Sequence, residues 1–370
     1  MRRAALLIVL MMSGVAFGEP PRVVGYYAEW KKQYTIEKIP ADKLTHVNYA
    51  FAIIKDGKCA MRMPALSKAN FPKLVELKKS HPRLQTVISV GGWADSEKFS
   101  DAALTDESRK TFAKSCADFA GDNGFDGVDI DWEFPVSGGD TDHVARPEDK
   151  RNFTLLLAEL RAQLDARGKT DNKRYVLTIA APAGGLQRME VDQIHRYLDF
   201  INLMTYDFAG PWSETTGFNA ALHPVPGHPE QASASASVEA YLKAGVPADK
   251  IVLGVPFYGR GWTGVKDADN GLFQPRDDKA AKDARVGGSD YRNLKELQRP
   301  AKRFWHEQAM VPYVWNPQTH VFITYDDPES LRAKASYARE TKLGGVMFWE
   351  LEHDDEQSSL LNALHEGLRE

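Results

Sequence analysis

Short apolar runs alternate with helical patterns along this chain. Eight runs have the length and composition of strands, and some, such as residues 251–255, are apolar throughout, which is typical of strands covered on both faces. The predicted strands are 23–27, 46–52, 85–90, 127–133, 175–180, 200–205, 251–255 and 345–349. Because a helical pattern follows each strand, we predict an α/β fold, a (β/α)8 TIM barrel; an open doubly wound sheet is the alternative.

The helical period of 3.6 residues is clearest after six of the strands, and the helices after the first and fifth strands are short. The clear helices are predicted at 71–80, 107–120, 148–166, 238–243, 328–341 and 356–368. One connection, between Tyr258 and Tyr325, is too long for a plain loop in a compact fold. We predict a small α+β insertion subdomain at 263–322, between strands seven and eight of a barrel formed by 19–262 and 323–370. It would form a wall of any cleft at the reaction face.

The first residues have the features of an export signal. A positively charged start precedes an apolar stretch at 4–12, and a small-x-small site stands at 16–18. A membrane anchor is the alternative, but the apolar run is shorter than the roughly 20 residues that span a bilayer. We therefore predict a signal peptide at 1–18 and a secreted protein, extracellular or periplasmic. Its two cysteines, Cys59 and Cys116, could pair after export, although a buried free thiol is favoured for Cys116 on its predicted helix.

Composition narrows the function classes. The 47 Lys and Arg residues are balanced by 51 Asp and Glu residues, and the net charge of -4 offers no basic face for nucleic acid or anionic lipid. Hydrophobic residues make up 43% of the chain, enough to form a core. The 8 Trp, 13 Tyr and 17 Phe residues suit a cleft that stacks on the apolar faces of ring-shaped ligands.

The most informative segment is 125–135, which reads FDGVDIDWEFP. Asp129, Asp131 and Glu133 alternate with three apolar residues, so a strand here directs its carboxylates into the barrel and its apolar side chains toward the helices. A solvated edge strand is the structural alternative, but its apolar face would then lack a partner layer. Crowded carboxylates cannot all ionise easily, so at least one pKa should rise. Glu133, nearest the open end, is the predicted acid.

Two other chemistries can be weighed on the same residues. An Asp-x-Asp-x-Glu row could ligate a metal, but strand residues two apart point in parallel, about 6.6 Å from each other, and do not wrap an ion. We predict neither a metal nor a cofactor. A glycosidase with two carboxylates needs them on opposite sides of the sugar, which one strand cannot provide. The second group must come from another strand, for instance Asp207, or from the substrate.

Residues 126–133, DGVDIDWE, resemble the D-G-x-D-x-D-x-E signature of family 18 glycoside hydrolases, the chitinases. Four further motifs follow the family's order: SVGGW at 89–93, MTYD at 204–207, GVPFYGR at 254–260 and MFWE at 347–350. The long connection after strand seven is similar to the insertion of bacterial deep-groove chitinases. The resemblance covers nearly the whole chain after the predicted signal, and it implies a retaining, substrate-assisted glycosidase.

The resemblance also implies residue roles. Glu133 is the implied acid, Asp131 orients and stabilises the N-acetyl group of the substrate, Asp129 is its buried charge-sharing partner, and Tyr206 binds the acetamide oxygen. The implied substrate-binding residues are Trp349, Met204, Asp207, Trp93, Trp212, Tyr26, Ser89, Tyr258 and Arg260. Of these, Trp349 is expected beneath the distorted sugar, and Trp93 and Trp212 on the leaving side. Tyr26 and Ser89 are also expected to support Asp129.

These observations predict a secreted, monomeric chitinase whose partner is chitin or a chito-oligosaccharide. One alternative is a catalytically inactive lectin on the same barrel, although such lectins typically lack the acid that Glu133 provides here. Another is an endo-β-N-acetylglucosaminidase that acts on glycans or peptidoglycan. Whether cleavage is endo or exo stays open.

Overall fold

Eight parallel strands close into a barrel in the computed structural model, which describes residues 20–31, 33–140, 144–276, 289–297 and 301–369. In chain order, the strands are β1 (Arg22–Ala28), β2 (His46–Lys55), β3 (Lys58–Met61), β4 (Gln85–Gly91), β5 (Gly127–Asp131), β6 (Val176–Pro182), β7 (Phe200–Met204), β8 (Ile251–Pro256), β9 (Tyr258–Trp262), β10 (Ser289–Asp290), β11 (Lys302–His306), β12 (Val311–Asn316), β13 (Val321–Thr324) and β14 (Gly345–Trp349). The barrel is formed by β1, β2, β4 to β8 and β14. Because β1 pairs with both β2 and β14, the sheet is closed. The predicted TIM barrel is confirmed, and the open sheet is excluded.

Helices cover the outside of the barrel. They are α1 (Pro64–Ser80), α2 (Phe99–Ala103), α3 (Asp106–Asp122), α4 (Asp149–Asp171), α5 (Val191–Ile194), α6 (Ala234–Lys243), α7 (Tyr291–Leu297), α8 (Pro328–Glu340) and α9 (Ser359–Arg369). The helix α1 begins seven residues before its predicted start, because Pro64 suits the first turn of a helix. Among the described residues between β1 and β2, the helical turns are two 3-10 turns, Ile36–Lys38 and Ala41–Lys43.

The barrel strands have two buried faces. Residues such as Val128 and Ile130 pack outward into the apolar layer between strands and helices. Alternate residues point inward, and a second apolar cluster that includes Val24, Phe200 and Val252 fills part of the barrel interior. Because side chains alternate between the two faces of each strand, the apolar layer outside the strands is separate from an inner face that can carry polar groups.

A second, antiparallel sheet follows β8, in the order β10, β9, β13, β12, β11. It has an apolar cluster of its own, in which Trp262, Tyr313 and Phe322 are buried. The sheet extends beyond the predicted bounds of 263–322, because Trp262 of β9 pairs with Phe322 of β13. Residues 277–288 and 298–300 lie outside the described residues, and the division into domains stays a prediction.

The hairpin of β2 and β3 was not predicted. The strand β2 runs three residues past its predicted end, and Asp56 and Gly57 both adopt a positive φ, as a tight two-residue hairpin turn requires. Cys59 on β3 is half-buried and Cys116 on α3 is buried; both are free thiols in the structure.

The predicted signal peptide at 1–18 lies outside the described residues. Among the helices that the structure does describe, none is long and apolar enough to cross a membrane.

Candidate active site

The carboxylate row of β5 lies at the carboxyl end of the barrel strands. The strand ends at Asp131, two residues before its predicted end. Its ladder stops there because the N–H of Glu133 donates to Ser96 Oγ at 3.0 Å instead of to a neighbouring strand. The same Oγ lies 2.8 Å from the carbonyl oxygen of Gly92 and 3.1 Å from that of Asp131. One buried hydroxyl therefore joins the loop after β4 to the backbone of the carboxylate row.

Glycine is required where the loop after β4 touches this row. Gly91 has a φ of 105°, and a Cβ there would collide with the carbonyl oxygen of Asp131. The N–H of Gly92 donates to that oxygen at 2.8 Å. This close approach explains Gly91. Gly92 is favoured for a different reason, because its φ is 86° and a Cβ there would collide with the ring of Phe51.

Asp129 is fully buried and accepts four hydrogen bonds from other strands. Its carboxylate receives Tyr26 Oη at 2.8 Å, Ser89 Oγ at 2.8 Å, Thr178 Oγ1 at 2.6 Å and Asn202 Nδ2 at 3.3 Å. Burial raises the pKa of Asp129, and the donors oppose that rise. Tyr26 and Ser89 are themselves buried, and both support Asp129 from inside the barrel.

Asp131 and Glu133 form a coupled pair within hydrogen-bonding reach of each other. Burial, then the charges of Glu133 and Asp129, raises the pKa of Asp131 well above its usual range. Burial and the charge of Asp207 raise the pKa of Glu133 to about 7. The crowded row therefore keeps a proton near neutral pH, as predicted. Oδ1 of Asp131 is buried and accepts no hydrogen bond from the described N–H and hydroxyl groups.

Asp207, named as a possible second carboxylate, is held by a cation. Arg260 donates to its Oδ1 from Nε at 2.8 Å and from Nη2 at 2.6 Å. The guanidinium also lies over the rings of Tyr258, at 4.8 Å, and Trp212, at 5.0 Å. The structure thus brings four of the predicted substrate-binding residues together, two that follow β7 and two on β9.

Met204 ends β7 and Tyr206 follows it, with the ring centroid of Tyr206 6.1 Å from that of Tyr258. Burial and the negative charge of Asp131 raise the pKa of the Tyr206 phenol, so it is a hydrogen-bond donor across the physiological pH range. Both residues pack in the apolar cluster of the barrel interior, together with Trp349. The ring of Trp349 is half-buried and stacks on Phe51 at 5.8 Å, with the ring planes 14° apart.

Trp93 and Trp212 are the most exposed large apolar side chains of the described residues, with 54% and 60% of their surface accessible. Such exposure leaves the ring of Trp93, and the part of the Trp212 ring that Arg260 does not cover, accessible to a ligand. They follow β4 and β7, on the face where barrel enzymes hold their sites.

Several residues of the site were not predicted. Thr178 and Asn202 hold Asp129, Ser96 holds the backbone of Glu133, and Trp30 stacks on Phe51 at 6.0 Å. The sequence could have indicated Thr178 and Asn202, because each is a polar residue at an inward position of an otherwise apolar strand. Ser96 has no such signal, because its partners are backbone groups of a loop and of another strand.

The described residues hold no group of three or more His, Cys, Asp or Glu side chains arranged to ligate a metal. The arrangement itself supports proton transfer. It offers an acid with a pKa near 7, a protonated phenol, and a buried carboxylate oxygen that can accept an N–H group.

The chain is similar to known proteins over most of its length. The family described as glycosyl hydrolases family 18 matches residues 22–354. The chain belongs to this family. The predicted resemblance is therefore confirmed.

Similar family 18 proteins include chitinase A1 of Niallia circulans, which is 38% identical over 94% of this chain. A chitinase from Bacillus thuringiensis superposes with a TM-score of 0.88 at 35% identity, over 95% of this chain and 70% of its own. A family 18 N-acetylglucosaminidase from Paenibacillus barengoltzii has a TM-score of 0.84 at 37% identity, over 94% of this chain and 99% of its own. The chain spans 58% of the length of chitinase A1.

Proposed function

We propose that this protein is a secreted, monomeric chitinase. It hydrolyses β-1,4-linked N-acetylglucosamine chains with retention of configuration, using the acetamide of the substrate as nucleophile. The observation that carries the proposal is the neighbouring carboxyl groups of Asp131 and Glu133, whose pKa values are both raised, together with a buried oxygen of Asp131 that accepts no hydrogen bond from the described residues. The names of the similar chitinases support chitin as the substrate.

The spacing of the carboxylates argues for an internal nucleophile. Retaining enzymes with two carboxylates hold them about 5 Å apart, on opposite faces of the sugar. Asp131 and Glu133 are within hydrogen-bonding reach and come from one side, while Asp207 is paired with Arg260. The acetamide oxygen of the substrate supplies the missing nucleophile, and its attack is intramolecular, which lowers the entropic cost.

In the first step, Glu133 protonates the glycosidic oxygen as the acetamide oxygen bonds to the anomeric carbon and the leaving sugar departs. The resulting oxazolinium ion is positively charged, and Asp131 stabilises it by accepting the acetamide N–H. The Tyr206 hydroxyl donates to the acetamide oxygen and aligns it. In the second step, Glu133 accepts a proton from water as the water opens the oxazolinium ion, and the β configuration is restored.

The aromatic residues bind the sugar rings. Trp349, backed by Phe51, lies beneath the distorted sugar, and the exposed Trp93 and Trp212 stack on the leaving side. Arg260 holds Trp212 and Asp207 at this end of the cleft.

Hydrolysis of a chitin hexamer tests the proposal. Proton NMR of the early products should show the β anomer, and the matching cello-oligosaccharide and fully deacetylated chitosan oligomer should resist cleavage because they lack the acetamide. Early α products, or comparable rates on the deacetylated oligomer, would overturn the mechanism. Release of monomers alone would identify an N-acetylglucosaminidase. Binding without turnover would identify a lectin.

A further inference from the structure

The chain has two cysteines, and the fold brings them together outside the barrel. Cys59 lies on β3 and Cys116 on α3, and the two residues are neighbours where the strand packs on the helix. The N–H of Cys59 donates to Ser115 Oγ at 2.9 Å, so the strand lies directly on this turn of the helix. We propose that Cys59 and Cys116 form a disulfide that ties the hairpin of β2 and β3 to α3.

The surroundings of the two thiols set the order of the reaction. Cys116 is fully buried in the apolar outer layer, whereas Cys59 is half-buried on a partly exposed strand. Burial, together with the neighbouring Cys59, raises the pKa of the Cys116 thiol. Cys59 is therefore the thiol that a dissolved oxidant reaches first.

The bond forms by thiol–disulfide exchange. The oxidant is a disulfide-bearing oxidoreductase in the compartment to which the protein is exported, or oxidised glutathione in the test tube. The Cys59 thiolate attacks a sulfur of the oxidant and displaces a thiolate, which gives a mixed disulfide. Cys116 then loses its proton and attacks the sulfur of Cys59, which releases the second thiolate. The protein loses two electrons and two protons, and the oxidant is reduced to two thiols.

A disulfide at this position would stabilise the edge of the sheet and restrict the unfolded chain. The short strand β3 is a sheet edge whose ladder partner is β2. The loop closed by the disulfide contains α1, β4 and α2, so the bond restricts a long segment of the unfolded chain. The carboxylates of the site point into the barrel, on the other face of the strand layer from Cys116. We therefore expect the bond to stabilise the fold without changing the chemistry.

Thiol counting on the purified full chain tests the bond directly. After equilibration with oxidised glutathione, the unfolded protein should contain no free thiol, and after dithiothreitol it should contain two. Peptide mapping should identify one peptide pair joined through Cys59 and Cys116 within a monomer. Two free thiols, a glutathione adduct on Cys59 alone, or a bond between two chains would overturn the proposal.

Thermal unfolding tests the stabilising role. The oxidised wild type should melt about 5 °C above the reduced wild type, as closure of a long loop predicts. The variant Cys59→Ser should melt like the reduced wild type and should not respond to dithiothreitol, whereas Ser115→Ala should keep the response. Equal melting temperatures for oxidised and reduced wild type would contradict the role. Chitin-oligomer hydrolysis at 25 °C, measured on the same samples, separates this outcome from any failure of the proposed function.

Discussion

The two faces of β5 are equally buried and chemically opposite. Outward, Val128 and Ile130 are inaccessible to solvent and pack among apolar side chains, where each contributes about 1.5–3 kcal/mol to stability. On the inward face, Asp129 and Asp131 are also buried from solvent, and burial raises the pKa of both carboxyl groups. One face of the strand holds the barrel together, and the other carries groups that the interior disfavours when they are charged.

Ionisation of carboxyl groups on the inner face therefore lowers the stability of the fold as the pH rises. The pKa of Glu133 rises from 4.5 to about 7 in the folded protein, so the folded state holds this proton more tightly than the unfolded state. Stability is greatest while Glu133 is protonated, and it decreases as the pH rises from about 4.5 through about 7. Substitutions made separately on the inner and the outer face should therefore distinguish effects on activity from effects on stability.

The largest effect on activity is expected from Glu133→Gln. The amide keeps the shape of the side chain but cannot deliver a proton, so kcat on chitin oligomers should fall by about 10³-fold. Calorimetric binding of the oligomer is the control and should change little. The variant should also melt above wild type at pH 8 but not at pH 4, because it lacks the ionisation that burial disfavours. Activity within tenfold of wild type would remove Glu133 from the role of acid.

On the outer face, Ile130→Ala should lower stability by about 3 kcal/mol, because it leaves a cavity in the layer between β5 and the helices. Urea unfolding measures the loss, and Ile130→Val, which removes one methyl group, should cost about 1 kcal/mol. The kcat of both folded variants should stay near wild type. A large loss of kcat without a loss of stability would show that the two faces are not independent.

Asp131→Asn should lower kcat by about 10²-fold with little change in KM, because the negative charge acts on the positive charge that develops in the transition state. Steady-state kinetics on a fluorogenic chito-oligosaccharide measures both constants. A change confined to KM would indicate that Asp131 only binds the substrate.

Ser96→Ala leaves the N–H of Glu133 without its buried acceptor and frees the backbone of the acid, so we expect kcat to fall about tenfold with little change in KM. The matched control is Ser100→Ala. Ser100 is equally buried, on α2, where its hydroxyl donates to Asp149 at 2.7 Å. That variant should lose stability but keep kcat, and equal losses of kcat in both would argue against a positioning role for Ser96.

The smallest effect is expected from Asp207→Asn. The charge of Asp207 raises the pKa of Glu133, so its removal should lower that pKa. The alkaline limb of the kcat/KM profile, which falls as Glu133 loses its proton, should then move to lower pH. Asp101→Asn, which removes a surface carboxylate paired with Arg146, is the control and should leave the limb in place. A shift toward higher pH would contradict the assigned coupling.

The sequence by itself determined the alternation of strands and helices and the inward row of β5. Both follow from local periodicity, because a period of two or of 3.6 residues sets which side chains share a face before any tertiary contact forms. The approximate positions of the eight barrel strands, the barrel and the family were all predicted this way or by resemblance, whereas β3 was not predicted. The end of β5 was misplaced by two residues, because Ser96 competes for a backbone group that the local pattern assigns to the strand.

Only the tertiary structure decided which groups surround the carboxylates. Asp129 is held by residues of β1, β4, β6 and β7, which are distant in sequence and meet because the barrel closes. The pKa of Glu133 depends on burial and on Asp207, which stands at the end of β7. The proximity of Cys59 to Cys116 likewise depends on a hairpin folding back onto α3. Dielectric environment and distance are properties of the packed fold, and the periodicity of a single segment does not contain them.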